Sequence, residues 1–283
     1  MISPPSTEYI VYINTHHIST STPINQLFSN QKMSRIFITG SSDGIGLSTA
    51  KNLTSQGHTV ILHARNPDRA KTTQKALPTA RILTADLRSM SETKNLAQEA
   101  NKHGPFDTII HNAGIGFGAT SSKEITADGI SAVFAVNTLA PYILTCLMDR
   151  PGRLLFMSSD SHYGGDNSLK GIRTSCSYGD SKLHDMMLAN AFARRWGGVN
   201  VVSMHPGWVR TKMGGSMAPG GLREPTRALA EWAVGVGELA KLRSGCFFSP
   251  GGEERPDEAA GDLGKQEELL KICGEVSGVD VPV

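Results

Sequence analysis

The stretch Arg35-Ile-Phe-Ile-Thr-Gly-Ser-Ser-Asp-Gly-Ile-Gly46 constrains the fold of this chain more than any other. A short apolar run breaks into three closely spaced glycines, Gly40, Gly44 and Gly46, after which Leu47, Ala50 and Leu53 recur at helical spacing. That pattern reads as a strand turning sharply into a helix. Such a helix directs its free N–H groups and the positive end of its dipole at the turn, where a pyrophosphate fits. The glycines have separate duties: one lets the chain turn, one lets backbone approach phosphate, one lets the helix lie close to the strand. Ser42, Asp43 and Ile45 complete the loop and join the three glycines as candidate dinucleotide contacts. The spacing Gly-x-x-x-Gly-x-Gly differs from the common Gly-x-Gly-x-x-Gly, and on its own the turn would also suit a plain strand–helix corner.

Strands and helices alternate through the rest of the chain. Strand-like segments fall at 59–63, 81–84, 107–110, 153–157, 199–204 and 246–248. Between them come a helix start at Asn66-Pro67-Asp68, another near Ser89 or Ser91, and helical patterns over 124–148, 177–196, 225–242 and 263–272. The alternation predicts an α/β fold, a single doubly wound Rossmann-like parallel sheet with helices on both faces, over residues 34–283. Residues 1–33, rich in Ser, Thr, Asn and Pro, are expected to be a poorly structured N-terminal extension, with Met33 a natural start. They carry no pattern of a mitochondrial or secretory leader. His16-His17 has no acidic or thiol partner at ligand spacing, so no metal is expected there or elsewhere.

A chain of 283 residues is long enough for one large domain, and a net charge of +2, from 28 basic against 26 acidic residues, supplies no basic field for nucleic acid. Small-molecule chemistry is the expectation. Cys146, Cys176, Cys246 and Cys273 are scattered without a Cys-x-x-Cys pair, which argues against a zinc site or a disulfide framework and for a reducing, cytoplasmic setting. The apolar run over 130–148 is interrupted by Asn137 and Pro141 and reads as a buried helix, so no integral membrane segment is expected.

In an open parallel sheet the ligand crevice lies beyond the carboxyl ends of the strands. Six polar clusters fall there: the glycine turn, Ala64-Arg65, Asp86, Asn112 to Gly114, Ser158-Ser159 and Pro206-Gly207. Beyond the fifth strand, Tyr178 and Lys182 stand four residues apart on one helix face. A tyrosine of ordinary pKa about 10 needs a depression of about 4 kcal/mol to ionise near neutrality. An ammonium about 4 Å away at an effective dielectric of about 20 supplies a term of that size. A Tyr-x-x-x-Lys pair is by itself also an ordinary helix surface pair.

Taken in chain order, Thr39-Gly-Ser-Ser-Asp-Gly-Ile-Gly46, Asp86-Leu87, Asn112-Ala113-Gly114, Asn137, Ser159, Tyr178-x-x-x-Lys182 and Pro206-Gly-Trp-Val-Arg-Thr211 resemble the short-chain dehydrogenase/reductase family, over about residues 35–250. The resemblance implies that Tyr178 is the general acid/base, that Lys182 holds a cofactor ribose and lowers the pKa of Tyr178, that Ser159 bonds the substrate oxygen, and that Asn137 supports a water-linked proton path. It also implies that Asp86, with Leu87 beside it, faces the adenine and that Asn112, Ala113 and Gly114 lie along the ribose region. Pro206, Gly207, Val209 and Thr211 would flank the nicotinamide carboxamide. Members pair into homodimers or homotetramers, which is the expected assembly.

The chain departs from that pattern in places. The gap from Ser159 to Tyr178 is long, which puts an insertion near 164–173 and leaves Ser158 and Ser161 as alternatives to Ser159. His111 stands where many members carry an asparagine. His205 reads as a strand-end histidine with a satisfied ring. Trp208 either lines the pocket or packs, and the span 214–221 reads as a flap over the substrate or a plain surface loop. For the cofactor, an acidic residue ending the second strand would favour NAD(H), whereas a 2′-phosphate wants an arginine. The sequence offers His63-Ala64-Arg65-Asn66, and the guanidinium of Arg65 suits phosphate. NADP(H) is therefore the expected cofactor, NAD(H) the alternative, and the expected activity is hydride transfer between it and a carbonyl or secondary alcohol. An NAD-linked alcohol dehydrogenase and a catalytically silent dinucleotide-binding scaffold are the competing readings.

Overall fold

The structure, a computed structural model, describes residues 32–116 and 124–282. The expected extension over 1–33 therefore lies outside the described residues, apart from Lys32 and Met33. From Met33 onward the chain forms one compact unit.

Eight strands form a single sheet: β1 (Arg35–Ile38), β2 (Thr59–Ala64), β3 (Arg81–Thr84), β4 (Thr108–His111), β5 (Arg153–Met157), β6 (Asn200–Met204), β7 (Phe247–Ser249) and β8 (Gly252–Glu254). Their order is β3-β2-β1-β4-β5-β6-β7-β8. All neighbours pair in parallel except β7 and β8. The chain runs outward from β1 to β3 and then crosses back to lay β4 against the other side of β1. The carboxyl ends of β1 and β4 thus lie side by side, with Ile38 opposite Ile110, at the point where ligand crevices open in such sheets.

Period-two alternation gives the sheet two apolar faces. Phe37, Ile109, Leu154, Phe156, Val201 and Phe247 point to one side, where they meet helices α3 (Met90–Asn101), α4 (Ala140–Leu147), α5 (Tyr178–Arg195) and α7 (Leu263–Ser277). Ile36, Ile38, Ile110, Leu155, Met157, Val202, Met204 and Phe248 point to the other, against α1 (Gly44–Ser55) and α6 (Arg223–Ala233). Helix α2 (Pro67–Ala76) follows β2, with Asn66 as its N-cap accepting from the N–H of Arg69 at 3.0 Å and Pro67 in its first turn. Ser89, not Ser91, caps α3, by accepting from the N–H of Glu92. A full capping box between Ser177 and Asp180 starts α5.

Two expectations are corrected by the fold. The helix expected over 124–148 begins later: Gly129 takes the left-handed conformation (φ +78) in a turn, and a π-helical stretch, Phe134–Leu139, precedes α4. Helix α6 stops at Ala233 rather than near 242, followed by Gly235 and Gly237 at φ +76 and +75. The charged segment from 253, for which the sequence marks no strand, begins as β8, folded back so that Phe248 pairs with Glu253 and Phe247 with Glu254. All four cysteines are free and buried. Among the described residues no helix is long and apolar enough to cross a membrane.

Candidate active site

The glycine turn closes tightly on the loop after β4. A Cβ on Gly40, which has φ +61, would lie 2.7 Å from the Cα of Ala113, and one on Gly46 would lie 2.6 Å from Nδ2 of Asn112. Only glycine fits either position. Oγ1 of Thr39 accepts from the N–H groups of Asn112 and Ala113, while Nδ2 of Asn112 donates to the carbonyls of Thr39 and Gly40, all at 3.0 Å. Asn112 thus ties the two loops together. His63, which nothing but its place at a strand end marks in the sequence, completes the clamp: Nδ1 accepts from the N–H of Gly40 at 3.0 Å. Its Nε2 then carries the proton and donates to the carbonyl of Ala85 at 2.9 Å. Burial lowers its pKa, which keeps that neutral tautomer.

Asp43 is the N-cap of α1 but makes no side-chain cap. Its carboxylate turns instead to Arg69 at 2.7 Å and Lys212 at 3.1 Å. Burial pushes its pKa up, but the two cations outweigh that and hold it below the ordinary value. The first-turn N–H groups of α1, beside Ile45, are left to face the crevice, and this cradle fits a pyrophosphate. Beyond the end of β2 lies a cavity of about 330 Å³ lined by Ser42, Asn66, Asp68, Arg69, Thr72 and Lys212. Arg65 is exposed at its strand end. Arg69 and Lys212, not singled out from the sequence, add two cations there; their role follows from which helix and loop face the turn. Asp86 is held by Arg88, whose Nε and Nη2 reach both carboxylate oxygens at 2.7–3.2 Å. Burial raises the Asp86 pKa, and Arg88, with the charge of Arg65, pulls it lower still. Leu87 beside it is buried and packs into the core.

Tyr178 and Lys182 occupy the first two turns of α5, and Nζ of Lys182 lies 5.6 Å from the centre of the Tyr178 ring. Lys182 points inward: its side chain is 4% exposed, and Nζ donates to the carbonyl of Met157 at 2.7 Å and to Asp185 at 2.6 Å. Burial alone would lower the pKa of the amine; Asp185 and Tyr178 outweigh it and raise its pKa. Gly116 lies flat against the tyrosine, since a Cβ there would be 2.6 Å from Cδ2 of Tyr178. A Cβ on Gly114 would lie 3.6 Å from Oδ1 of Asn137 and 3.7 Å from Nζ of Lys182, so these three residues meet. The Asn137 amide is buried in the π-helical stretch: Oδ1 accepts from the N–H of Ile115 at 2.8 Å, and Nδ2 donates to Ile115 O at 2.8 Å and Ser181 Oγ at 2.9 Å.

Ser158 is buried and donates to the carbonyl of Lys182 at 2.8 Å, so it holds α5 against β5. Ser159 is partly exposed and caps the short 3₁₀ turn Asp160–Gly164 by accepting from Ser161 N. That turn is pressed against the start of α5: a Cβ on Gly179 would lie 2.9 Å from the carbonyl of Ser161. The insertion after it is anchored rather than loose, because Leu169, Ile172 and Cys176 are buried in the core.

After β6, Pro206 and Gly207 (φ +78) turn the chain towards Val209 and Thr211. Cγ2 of Thr211 lies 3.5 Å from where a Cβ on Gly44 would be, so this loop closes on the glycine turn. The span 214–221 is fastened to it: Arg210 N donates to Gly220 O, Gly220 N to Trp208 O, and Ala218 is buried. Trp208 is 60% exposed, with Nε1 donating to Gly214 O at 2.9 Å. His205 has a satisfied ring, Nδ1 3.0 Å from Asp160 and Nε2 3.0 Å from Glu254. Among the described residues these three come nearest to a metal-ligand set: one ligand atom of each lies within 4.8 Å of the others, with His205 buried and the two carboxylates exposed.

The sequence profile for short chain dehydrogenases matches residues 34–220. The chain belongs to the short-chain dehydrogenase/reductase family of oxidoreductases. It is 68% identical over 253 residues to an uncharacterized oxidoreductase, AN7799, of Emericella nidulans, covering 88% of this chain and 99% of the relative. It is 40% identical over 264 residues to the short-chain dehydrogenase chyC of Penicillium rubens, covering 88% of this chain and 100% of that one. Among solved structures, NADPH-bound carbonyl reductase from chicken fatty liver superposes with a TM-score of 0.64 at 24% identity, covering 80% of this chain and all of the other (100%). At that identity the likeness speaks for the fold.

Proposed function

We propose that the protein is an NADP(H)-dependent carbonyl reductase of this family, with Tyr178 as general acid/base. The observation that carries this reading is the inward-turned Lys182 beside the Tyr178 ring, next to Gly114 and Asn137 at the crevice of the switch point. A bound nicotinamide supplies the hydride. The N–H groups at the start of α1 and the tight turn at Gly40 to Gly46 hold the pyrophosphate. Arg65, Arg69 and Lys212, at the end of β2 and around the neighbouring cavity, favour a 2′-phosphate over a bare ribose hydroxyl, which supports NADP(H) over NAD(H). Lys182 holds the nearby ribose. Ser159 donates to the carbonyl oxygen, and Tyr178 delivers its phenolic proton there as negative charge develops. Asn137 and Ser181 keep the first turn of α5 in register with the loop after β4.

The test is NADPH oxidation against a panel of aldehydes, ketones and quinones, with Tyr178→Phe as the control. The substitution removes the transferable proton and keeps the ring against Gly116. Turnover should fall by at least about 10²-fold with NADPH binding retained. Undiminished turnover in this variant overturns the reading.

A further inference from the structure

Asp185 follows Lys182 by three residues on α5, and the Oδ2–Nζ contact of 2.6 Å is sealed from water, the two side chains being 3% and 4% exposed. Its flanking residues Leu183, Met186 and Met187 are buried and apolar. A carboxylate in such a place is retained only against a partner. That partner is the lysine that the proposed chemistry needs, and the chemistry as argued so far gives the carboxylate nothing to do.

We infer that Asp185 is a positioning residue that acts through Lys182. It pins the ammonium between its own carboxylate and the Met157 carbonyl, and as counter-charge it raises the pH at which the Tyr178–Lys182 pair first loses a proton. The inference deepens the proposed function and rests on Tyr178 being the acid/base. Burial pushes the Asp185 carboxyl up to about 7, and above that pH, with the carboxylate ionised, the cluster Asp185, Lys182, Tyr178 carries no net charge when the lysine and the phenol are both protonated. Without it the same cluster is a lone buried cation, and a proton leaves more readily whether phenol or ammonium releases it. The carboxylate therefore holds the proton on the pair to higher pH, which extends the range over which the site can donate to a carbonyl.

The surroundings leave this control to Asp185. Burial lowers the Lys182 pKa, and Asp185 is foremost among the groups that reverse this. Tyr178 and the thiol of Cys176 face the ammonium from the start of the helix. From β5 comes the Met157 carbonyl, and from the loop after β4 Gly114, which lies against both Nζ and the neutral amide of Asn137; the Ser158 hydroxyl bonds the backbone carbonyl of Lys182 and not the amine. His184, the neighbour in sequence, is drawn down to about 4 by burial and is neutral at working pH.

The experiment is a titration of the folded full chain carrying isotope-labelled tyrosine and lysine, followed by NMR, with the Tyr178 and Lys182 signals assigned through Tyr178→Phe and Lys182→Met. In Asp185→Asn, the first ionisation of the pair should move down by about one pH unit, about tenfold in the acid constant. The alkaline limb of kcat for carbonyl reduction should move with it, at unchanged KM for the carbonyl. Asp185→Glu keeps the charge and should titrate near the wild type. An unmoved or raised midpoint in Asp185→Asn overturns the inference, and Asp185→Ser is the second neutral variant if the first does not fold. Should Tyr178→Phe keep its turnover, the acid/base reading fails while the titration still reports the hold of Asp185 on the pair, so the two failures are told apart.

Discussion

Gly116 shows how much a single missing methyl group can carry. Its backbone lies so close to Tyr178 that a Cβ would sit 2.6 Å from Cδ2 and 2.9 Å from Cε2 of the ring. Gly116→Ala must push the ring, since the crowded atoms, Cδ2, Cε2 and Cγ, belong to the rigid ring itself. A displacement of about 1 Å at a reacting group costs about 10²-fold in rate, and kcat is expected to fall by that order with NADPH affinity kept; equal losses in both would point to a wider collapse. Arg65 belongs to the same scale. Arg65→Asp puts an acid where a ribose hydroxyl can use it and a phosphate cannot, so NADPH binding should weaken at least about tenfold more than NADH binding in a direct titration. At this scale the sequence was legible where a motif has fixed spacing, as in Gly40 to Gly46 and Tyr178 to Lys182. It was silent on His63 and Arg69, whose partners Gly40 and Asp43 only folding brings near, and on Asp185, whose helical spacing from Lys182 is visible but whose burial against it is not.

Among elements, α5 carries the most. Its capping box joins Ser177 Oγ to the N–H of Asp180 at 3.0 Å and Asp180 Oδ2 to the N–H of Ser177 at 2.8 Å. Oδ1 of Asp180 also accepts from Asp166 N at 2.9 Å, so one carboxylate starts the helix and anchors the insertion. Ser177→Ala should cost about 0.5–2 kcal/mol in urea unfolding, with faster amide exchange confined to the first turn that bears Tyr178. The seven strands expected from apolar runs are all present, because each places alternate side chains in two cores. β8 was not legible: Gly252-Glu253-Glu254 has no strand preference of its own and is a strand only because Phe247 and Phe248 offer a partner. The helix over 124–148 was overdrawn for the opposite reason. Its apolar run continues through the turn at Gly129 and the π-helical stretch, and periodicity does not register either.

For the whole molecule, burial of uncharged histidines makes acid the chief threat. Burial draws His111 down to about 3 and His184 to about 4, against an ordinary value of 6.5, and lowers His63 as well. Folded pKa values below the unfolded ones mean that the unfolded chain binds more protons between those limits. The stability these groups contribute is therefore complete above pH 6.5 and is lost as pH falls towards the folded values. Each costs about 1.4 kcal/mol per pH unit in that window, while Asp185, raised by burial to about 7, takes up its proton in the folded state and offsets about one of them, so denaturant unfolding should report a net loss of about 2–4 kcal/mol between pH 7 and pH 5. A flat profile over that interval would mean that these rings are charged in the folded protein.

The antiparallel turn-back at β8 has one more consequence. A sheet this wide would ordinarily end in a row of open peptide groups able to recruit another chain. Here the outermost strand spans three residues, Gly252–Glu254, two of them glutamates, and one of these is pinned by His205. That margin therefore offers a neighbouring copy only a short, charged edge on which to extend the ribbon.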